Sequence, residues 1–508
     1  MTDVTRRWMV GALMGGGVVA AAGRAAAVAD LRPHARPATG VRPELRQSAS
    51  NAHPDRHAHA RSAEDLIAEA KLGGQVAFLV ADARTGQVLE GHNVDLAMPP
   101  ASVAKTLTTA YALETLGKDY RFKTQVVITG PVANGRVQGD LILWGGGDPT
   151  LSSDGLAALA SQVAKAGIKG ITGRFLVADG ALPHVAIIDP TQPPEANYNP
   201  GISGLNLDFN RVYFSWEKRP DGWAVRMEAW ASANRPLVRA TQMTVVDRGL
   251  PYYVYNVENG VEKWSVSSRV LTQKGARWLP VREPGAYAGD AFHSLAAARG
   301  IDLPAPQTTS ASPAGTVVAV NESADLRTIL RAMLKYSTNV TAEIVGMTAS
   351  LKRGVPVTTL AQSAAAMNAW AKQRFGISPR LIDHSGLGST NRVTVSDLVT
   401  LLRNTEGSLR DILKPFLLLN DRGNLKRHSG VRIVAKSGTL NFVSNLAGYE
   451  TTPHGRELVF AMICGDVARC DAVPQDQREN PPGFHHWLFE AHMLHNRLLA
   501  RWAEVYDA

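Results

Sequence analysis

The chain has 508 residues, of which 45% are hydrophobic and 19% charged, so it can bury a large core and form about two to four domains. This composition excludes a fully disordered chain, a coiled coil and a collagen-like repeat, and the 2 cysteines exclude a disulfide scaffold and a four-cysteine zinc site. The 54 Lys and Arg residues outnumber the 45 Asp and Glu residues, and the net charge of +9 permits an anionic partner without selecting one.

Residues 1–29 are predicted to be an export signal. Arg6 and Arg7 precede an apolar run of about 15 residues that ends at Ala22, which is too short for a comfortable membrane span. The string around the two arginines resembles the twin-arginine signal, which a receptor reads as an address. An uncleaved anchor is the alternative. We therefore expect export to the periplasm, by the twin-arginine route.

Residues 30–62 contain six Arg, four His and almost no large apolar residue. Such a segment cannot bury enough surface to fold, so we expect a disordered basic linker. A basic arm that contacts anionic polymer or lipid is the functional alternative, and a solvated linker is the interpretation we favour.

From Ala63 onward the pattern is typical of a folded protein, and three blocks follow in chain order. The first block is predicted to contain helix 63–72, strand 75–82, its hairpin partner 88–93 and helix 103–116. The second block, 122–308, is predicted to be mostly β, with strands 124–129, 136–144, 174–178, 224–230 and 243–247 and helices 155–166 and 287–299. Pro, Ser, Thr and Ala dominate 304–315, which therefore indicates a boundary.

The third block runs to the end of the chain and is predicted to mix helices and strands. Its predicted elements are helices 324–335, 339–352 and 360–375, strands 438–448 and 456–465, and a final helix 484–505. Strands at both ends with helices between them favour an α/β layer whose sheet uses both ends of the folded part.

Ser102 and Lys105 form the first of three short motifs. On a helix, residues i and i+3 share one face, so both side chains can hydrogen-bond at the helix start. A serine hydroxyl needs a neighbouring base to act as a nucleophile, and a lysine amine is such a base when burial or another cation lowers its pKa. The helix N-terminus also favours negative charge that develops near Ser102. Alone, this pair indicates no more than an N-cap serine beside a solvated lysine.

The second motif, Ser337-Thr338-Asn339, lies between two predicted helices. A short turn would point Ser337 and Asn339 to the same side. Ser337 could then pass a proton between Lys105 and a leaving amine, while Asn339 could donate to a substrate carbonyl and contact Lys105. As an isolated tripeptide, the motif indicates only an interhelical turn.

The third motif is Lys436-Ser437-Gly438-Thr439, which we place at the start of a predicted strand. Lys436 would bind a substrate carboxylate and raise the local positive potential, and Ser437 would add a hydroxyl to that carboxylate. Gly438 would let substrate lie against the strand edge. The backbone N–H groups of Thr439 and Ser102 would form an oxyanion hole. The alternative is a basic strand end.

Together, the order Ser-x-x-Lys, Ser-x-Asn, Lys-Ser/Thr-Gly is the signature of penicillin-binding proteins and serine β-lactamases. The spacing of 235 residues between Ser102 and Ser337 is too long for a class A β-lactamase. With such an insert, the chain resembles the D-alanyl-D-alanine carboxypeptidase/endopeptidase family of the penicillin-binding protein 4 (DacB) type, peptidase family S13. Further stretches similar to this family are 145–151, 383–387 with Asn391, and 445–449.

The resemblance implies an α/β (α+β) fold of the penicillin-recognising type, with an antiparallel sheet flanked by helices. This peptidase domain would comprise 63–121 and 309–508, with 122–308 as the insert. It implies a serine D-Ala-D-Ala carboxypeptidase or endopeptidase that acts on peptidoglycan stem peptides and crosslinks, is inhibited covalently by β-lactams and needs no cofactor. It implies no nucleic acid and at most peripheral membrane contact, and it leaves the oligomeric state open.

By the same resemblance, Ser102 would be the acylated nucleophile and Lys105 its general base, with Ser337, Asn339 and Lys436 completing the site. The chain departs from the family at Ser389, where relatives carry an arginine that helps hold the side-chain end of a diaminopimelate residue. Glu195 is the residue we match to the family's acidic contact to the amine of that group. With one of the two contacts present, we expect a smaller preference for diaminopimelate-type side chains than relatives show.

Two other functions were compared with this one. A β-lactamase would need fast deacylation, and we find no Glu-x-x-Leu-Asn base motif. A non-catalytic protein that binds the cell wall or senses β-lactams would not need the intact serine, lysine and asparagine.

Two further groups of residues could carry chemistry. Cys464 and Cys470 lie six positions apart, so an exported chain could bridge them, with two unpaired thiols as the alternative. Several His side chains lie on the final predicted helix, but its apolar stripe indicates core packing and ligand-type spacing is lacking, so we predict no metal site.

Overall fold

The computed structural model describes residues 61–420, 423–425 and 429–507. The predicted export signal and nearly all of the predicted linker lie outside these residues. In chain order, the described residues form the helices α1 (Ala63–Ala70), α2 (Lys105–Leu116), α3 (Ser153–Lys165), α4 (Pro284–Ala297), α5 (Leu326–Tyr336), α6 (Asn339–Lys352), α7 (Leu360–Phe375), α8 (Val395–Leu409), α9 (Val467–Asp471) and α10 (Phe484–Val505). Within that part of the chain, no helix combines the length and the apolar composition that crossing a bilayer requires.

The strands are equally spread along the chain. They are β1 (Gln75–Asp82), β2 (Val88–His92), β3 (Lys123–Ile128), β4 (Val132–Ala133), β5 (Arg136–Val137), β6 (Leu141–Gly145), β7 (Gly170–Ile171), β8 (Phe175–Ala178), β9 (Arg211–Arg219), β10 (Gly222–Glu228), β11 (Thr241–Val246), β12 (Tyr253–Glu258), β13 (Val261–Ser267), β14 (Lys274–Pro280), β15 (Pro306–Thr309), β16 (Thr316–Glu322), β17 (Lys414–Phe416), β18 (Arg432–Leu440), β19 (Val443–Thr451) and β20 (Glu457–Gly465).

A six-stranded antiparallel sheet forms the centre of the part of the chain outside the insert, in the order β17-β18-β19-β20-β1-β2. Side chains alternate between its two faces. Leu79 of β1 packs into one core with helices α2 and α5 to α8, while its neighbours Phe78 and Val80 pack into a second core with α1 and α10. The predicted architecture, an antiparallel sheet flanked by helices, is therefore confirmed.

The insert is mainly β and has its own core. A five-stranded sheet in the order β15-β8-β6-β3-β16 packs against α3 and α4, and two three-stranded sheets follow, β10-β9-β14 and β11-β13-β12. Buried side chains join these sheets into one apolar cluster that includes Leu156, Phe214, Trp264 and Phe292. This part of the fold buries its own apolar faces, separately from the six-stranded sheet.

The return from the insert differs from the sequence prediction. We assigned 309–322 to the peptidase domain, but β16 pairs with β3 and Ala319 lies in the insert's core. The segment 304–315, predicted as a boundary, contains β15, which pairs with β8 in parallel. Backbone pairing with a distant strand orders a sequence whose composition is typical of a linker.

The predicted single strand 438–448 is a hairpin. The chain turns at Asn441 and Phe442, and β18 and β19 pair along their whole length. Phe442 adopts a φ of 54°, in the region that favours glycine. The third motif therefore lies near the end of β18 and not at the start of a strand.

Candidate active site

Ser102 lies on a short 3₁₀ turn, Ala101–Ala104, that leads into α2. This turn packs closely against two glycines from distant segments of the chain. A Cβ on Gly438 would lie 2.8 Å from both the Pro100 O and the Ser102 N, and a Cβ on Gly386 would overlap the Ala101 carbonyl. Gly438 was predicted to make room for substrate, but the start of the turn that carries Ser102 fills the space that its missing side chain leaves.

The Lys105 amine makes three hydrogen bonds. Nζ lies 2.9 Å from Ser102 Oγ, 2.7 Å from Asn339 Oδ1 and 2.8 Å from the Ser385 carbonyl oxygen. A neutral amine has two hydrogens and one lone pair. Since Asn339 Oδ1 and the Ser385 carbonyl can only accept, they take the two hydrogens, and the lone pair points to the Ser102 hydroxyl.

The orientation of Asn339 depends on the insert. Its Nδ2 donates to the Tyr198 carbonyl at 2.9 Å, which leaves Oδ1 facing Lys105. The amide therefore joins a loop of the insert to the peptidase part at the second motif.

Burial lowers the pKa of Lys105 to about 7, against the opposing charges of Glu343 and Asp383. Both carboxyl groups are buried, and burial raises the pKa of Glu343 to about 8. Glu343 accepts the backbone N–H groups of His384 and Ser385, at 2.9 and 2.8 Å. Glu343 therefore holds the loop whose Ser385 carbonyl faces Lys105, and Asp383 accepts from Gly386 and Gly388 within that loop. Glu343 was not among the residues predicted from the sequence.

Ser337 ends α5 in the left-handed conformation, with a φ of 59°, and the chain turns there into α6. Its hydroxyl accepts from the Nζ of Lys436 at 3.0 Å. Lys436 is 2% exposed, and burial followed by repulsion from Lys105 lowers its pKa well below the usual range. The structure thus brings Ser337 together with Lys436, whereas the sequence analysis expected it beside Lys105.

A cleft of about 280 Å³ opens at these residues. Its walls come from the motifs, the loop after Gly386, the turn between β18 and β19, the insert and the segment before α10. They are formed by Ser102, Gln192, Tyr198, Ser337, Asn339, Gly386, Leu387, Ser389, Thr439, Leu440, Asn441, Cys470, Asp471, Arg478, Glu479 and Phe484. Thr439 lines the cleft, whereas Ser437 is exposed on β18 outside this lining.

Glu195 is half-buried and lies outside the lining of the cleft. Its carbonyl accepts from Arg277 at 3.4 Å, and the same guanidinium forms a 2.8 Å ion pair with Glu479. Glu479 does line the cleft. Glu479, like Asp471, therefore places a carboxylate next to the cavity, whereas Arg277 and Glu195 lie outside its lining.

The two cysteines are free, which corrects the bridge considered from the sequence. Cys464 is fully buried on β20, where its Sγ lies 3.5 Å from His495 Nε2. Cys470 belongs to α9, on the wall of the cleft. The strand directs one thiol into the core under α10, and the other points to the cavity.

We expect one thiol per native chain to react with an aromatic disulfide reagent without prior reduction. Cys470 is partly exposed and should react slowly, because burial raises its pKa to about 11, while Cys464 should react only after unfolding. Absorbance would count the thiols, and Cys470→Ser should abolish the native reaction. Failure to detect two thiols after unfolding without reductant would support the bridge instead.

Among residues 61–420, 423–425 and 429–507, no group of three or more His, Cys, Asp or Glu side chains is placed to hold a metal ion. On α10, His495 is buried and burial lowers its pKa to about 3. His485 accepts or donates a 2.9 Å hydrogen bond with Asn480. His495 is therefore part of the core, and His485 has a hydrogen-bond partner at the surface.

The sequence and the structure were compared with known proteins. A sequence model described as the D-Ala-D-Ala carboxypeptidase 3 (S13) family matches residues 60–482, which include all three motifs. The D-alanyl-D-alanine carboxypeptidase of Actinomadura sp. (strain R39) is 28% identical over 448 residues, covering 79% of each chain. The D-alanyl-D-alanine carboxypeptidase DacB of Haemophilus influenzae is 25% identical over 450 residues, covering 82% of this chain and 90% of that one.

Solved structures show the same fold. The crystal structure of penicillin binding protein 4 (dacB) from H. influenzae superposes with a TM-score of 0.69 at 20% identity, covering 86% of this chain and 99% of that chain. Its complex with a novel β-lactam gives a TM-score of 0.66 at 21% identity, with the same coverage. Because the family match spans most of the sequence, the chain belongs to the D-Ala-D-Ala carboxypeptidase 3 (S13) family and is a serine-type peptidase hydrolase with a penicillin-binding fold.

Proposed function

We propose that this protein is a D-alanyl-D-alanine carboxypeptidase and DD-endopeptidase that forms an acyl-enzyme on Ser102. Its substrates would be peptidoglycan stem peptides and their crosslinks. The observation that carries the proposal is the buried Lys105 amine, whose two acceptor partners direct its lone pair to the Ser102 hydroxyl. A serine hydroxyl held in this way beside a base of pKa about 7 is an activated nucleophile.

In the acylation step, Ser102 Oγ bonds to the carbonyl carbon of the scissile amide as Lys105 takes its proton. The oxyanion that forms would accept from the backbone N–H groups of Ser102 and Thr439. The C–N bond then breaks, and the leaving amine takes the proton that Lys105 accepted from Ser102, which also returns Lys105 to its neutral form. The Ser337 hydroxyl, which accepts from Lys436 at 3.0 Å, would relay this proton. A water molecule hydrolyses the ester and releases the shortened peptide.

We assign Lys436 to the terminal carboxylate of the substrate. Its amine is buried, beside Ser337 and close to the wall formed by Thr439. A buried ammonium is costly without a counterion, so an incoming carboxylate would stabilise the charged form of Lys436. Thr439 is exposed to the cleft, so its hydroxyl can also donate to this carboxylate while its N–H faces the oxyanion.

β-Lactams should acylate the same serine. Support comes from the similar H. influenzae protein, whose structure was determined with a β-lactam. A β-lactamase remains the alternative enzyme, and a non-catalytic protein that binds the wall or senses β-lactams is the alternative from another class.

One experiment separates the three functions. We expect labelled penicillin to add one adduct per chain, on the peptide that contains Ser102, and to turn over slowly. A D-Ala-D-Ala pentapeptide and a purified crosslinked dimer should both be cleaved, as measured by mass spectrometry of the products. Rapid penicillin turnover without peptide cleavage would indicate a β-lactamase, and absence of any adduct would indicate a binding protein.

We also propose that the protein works in the periplasm. The support is the arginine pair at Arg6 and Arg7 with the short apolar run behind it. Wall peptides are then the partners within reach, and contact with the membrane would be peripheral.

A further inference from the structure

The inference concerns the insert, and it rests on the proposed function. Asn339 has two ends with opposite hydrogen-bonding character. Oδ1 accepts from Lys105 at 2.7 Å, and Nδ2 donates to the Tyr198 carbonyl at 2.9 Å. A rotated amide would place a donor against the Lys105 amine and an acceptor against a carbonyl. The Tyr198 carbonyl therefore selects the orientation that Lys105 needs.

The loop that carries Tyr198 has almost no regular structure between β8 and β9, so other contacts must hold it. Within the loop, Asn199 exchanges two hydrogen bonds with the backbone of Asp189, at 2.8 and 2.9 Å. The Tyr198 hydroxyl donates to Gln192 Oε1 at 3.1 Å. These bonds close the loop on itself but do not attach it to the rest of the insert.

Arg282 attaches the loop to the rest of the insert next to Tyr198, together with the backbone bond from the Gly201 N–H to the Val281 carbonyl at 2.7 Å and the Arg277 contact to Glu195. Arg282 follows β14 and is 4% exposed. Its guanidinium donates to the carbonyls of Asn199 at 2.6 Å, Pro194 at 2.9 Å and Ala186 at 3.4 Å. The Asn199 carbonyl belongs to the peptide group next to the one that meets Asn339. A planar group with five N–H donors can bind several carbonyls at once, which a lysine ammonium cannot do in the same geometry.

Glu262 holds Arg282 from behind. Its carboxylate accepts the backbone N–H of Arg282 at 3.0 Å and that of Glu283 at 3.0 Å. A continuous set of contacts thus runs from β13 through Arg282 and the loop to Asn339 and Lys105.

We propose that Arg282 is a positioning residue for the reaction: by fixing the Tyr198 carbonyl, it sets the Asn339 amide and with it the direction of the Lys105 lone pair. The insert is then part of the catalytic apparatus as well as a wall of the cleft. The charged groups that face Lys105 are Glu343, Asp383 and Lys436, and Arg282 acts on none of them directly.

The test is Arg282→Lys in the full chain, with acylation by a chromogenic cephalosporin followed from pH 5 to pH 10. A small displacement of positioned groups can lower a rate by as much as about 10²-fold, and we expect a loss of at least about tenfold at the plateau. The acid limb of the pH profile should also move to lower pH. A displaced Asn339 carbonyl no longer stabilises the protonated Lys105 amine, so the pKa of Lys105 falls. A defect that affected only the structure would lower the amplitude of the acylation signal without shifting the acid limb of the pH profile.

Arg248→Lys is the matched control. Arg248 is an insert arginine that also holds a loop through carbonyls, those of Pro251, Tyr252 and Ser265. The Arg248→Lys variant should leave both the acylation rate and the acid limb of its pH profile unchanged.

A double-mutant cycle keeps the proposal falsifiable if Arg282→Lys loses stability. In an Asn339→Ala background, Arg282→Lys should lower the rate little further, since its effect passes through that amide. Additive losses, or an unchanged pH profile in Arg282→Lys, would overturn the positioning role. An unlabelled wild type would instead refute the proposed acyl-enzyme itself, so the two failures are distinguishable.

Discussion

Ser102→Ala is expected to abolish covalent labelling by penicillin and cleavage of D-Ala-D-Ala peptides. The change removes the one oxygen that Lys105 can deprotonate at 2.9 Å, while the backbone N–H of residue 102 and the contacts of Lys105 to Asn339 and Ser385 remain. The cleft should therefore still bind the antibiotic without reacting with it. Intact-mass spectrometry after incubation with penicillin measures the adduct, and a thermal shift measures binding.

Ser337→Ala is the control for this prediction. Ser337 lines the same cleft and its hydroxyl contacts Lys436, not Lys105. Its loss should slow acylation but leave the adduct on residue 102. An adduct that persists in Ser102→Ala would identify another nucleophile and refute the assignment.

Lys105→Met is expected to lower the acylation rate by about 10²–10⁴, the usual contribution of a general base. In the wild type, the rate should rise with pH through a midpoint near 7, because burial lowers the pKa of Lys105 to about 7 and only the neutral amine has a lone pair. The variant should lose this limb. Stopped-flow measurement of acylation against pH tests both statements.

Lys436→Met separates the two buried lysines. It should impair cleavage of a D-Ala-D-Ala peptide more than cleavage of an ester that lacks the terminal carboxylate, since Lys436 would no longer face that group. Lys105→Met should impair both substrates alike. Equal losses on both substrates in Lys436→Met would contradict the carboxylate role.

Local signals were sufficient for much of the fold. The capped helix α7 and the long amphipathic helix α10 were predicted with the bounds that the structure shows. The strand β1 was predicted with its correct limits as well. These elements have clear start or stop residues, such as Thr359 and Gly376 at the two ends of α7 and Gly74 before β1, so their ends depend little on the rest of the protein.

The errors have tertiary causes. Every residue of β19 is buried, so it lacks the alternation that would mark a separate strand, and no Gly or Pro punctuates the turn at Phe442 between β18 and β19. The helix α8 was not predicted, although Thr394 and Asp397 form a capping box at its start.

The site itself was partly predictable. The motif residues were found from their types, order and spacing, and the structure brings all three motifs to one cleft. Glu343 and Tyr198 were missed for a physical reason. Glu343 is one of several polar residues of α6 and belongs to no motif, and Tyr198 contributes a backbone carbonyl, which every residue carries. No sequence pattern distinguishes a carbonyl that orients an amide from any other.

The order of strands in the six-stranded sheet also determines when the protein can become active during its synthesis. β1 emerges early but pairs with β20, so that Gln75 meets Gly465 across nearly the whole folded chain. Until that partner has been made, the edge of β1 that pairs with β20 is exposed, and exposed edges are prone to wrong pairing. The insert has its own core and can fold first. The turn that carries Ser102, by contrast, packs against Gly438 only after most of the chain has been made. A nascent or truncated chain that ends before β20 would thus carry every residue of the motifs and still have no assembled catalytic centre.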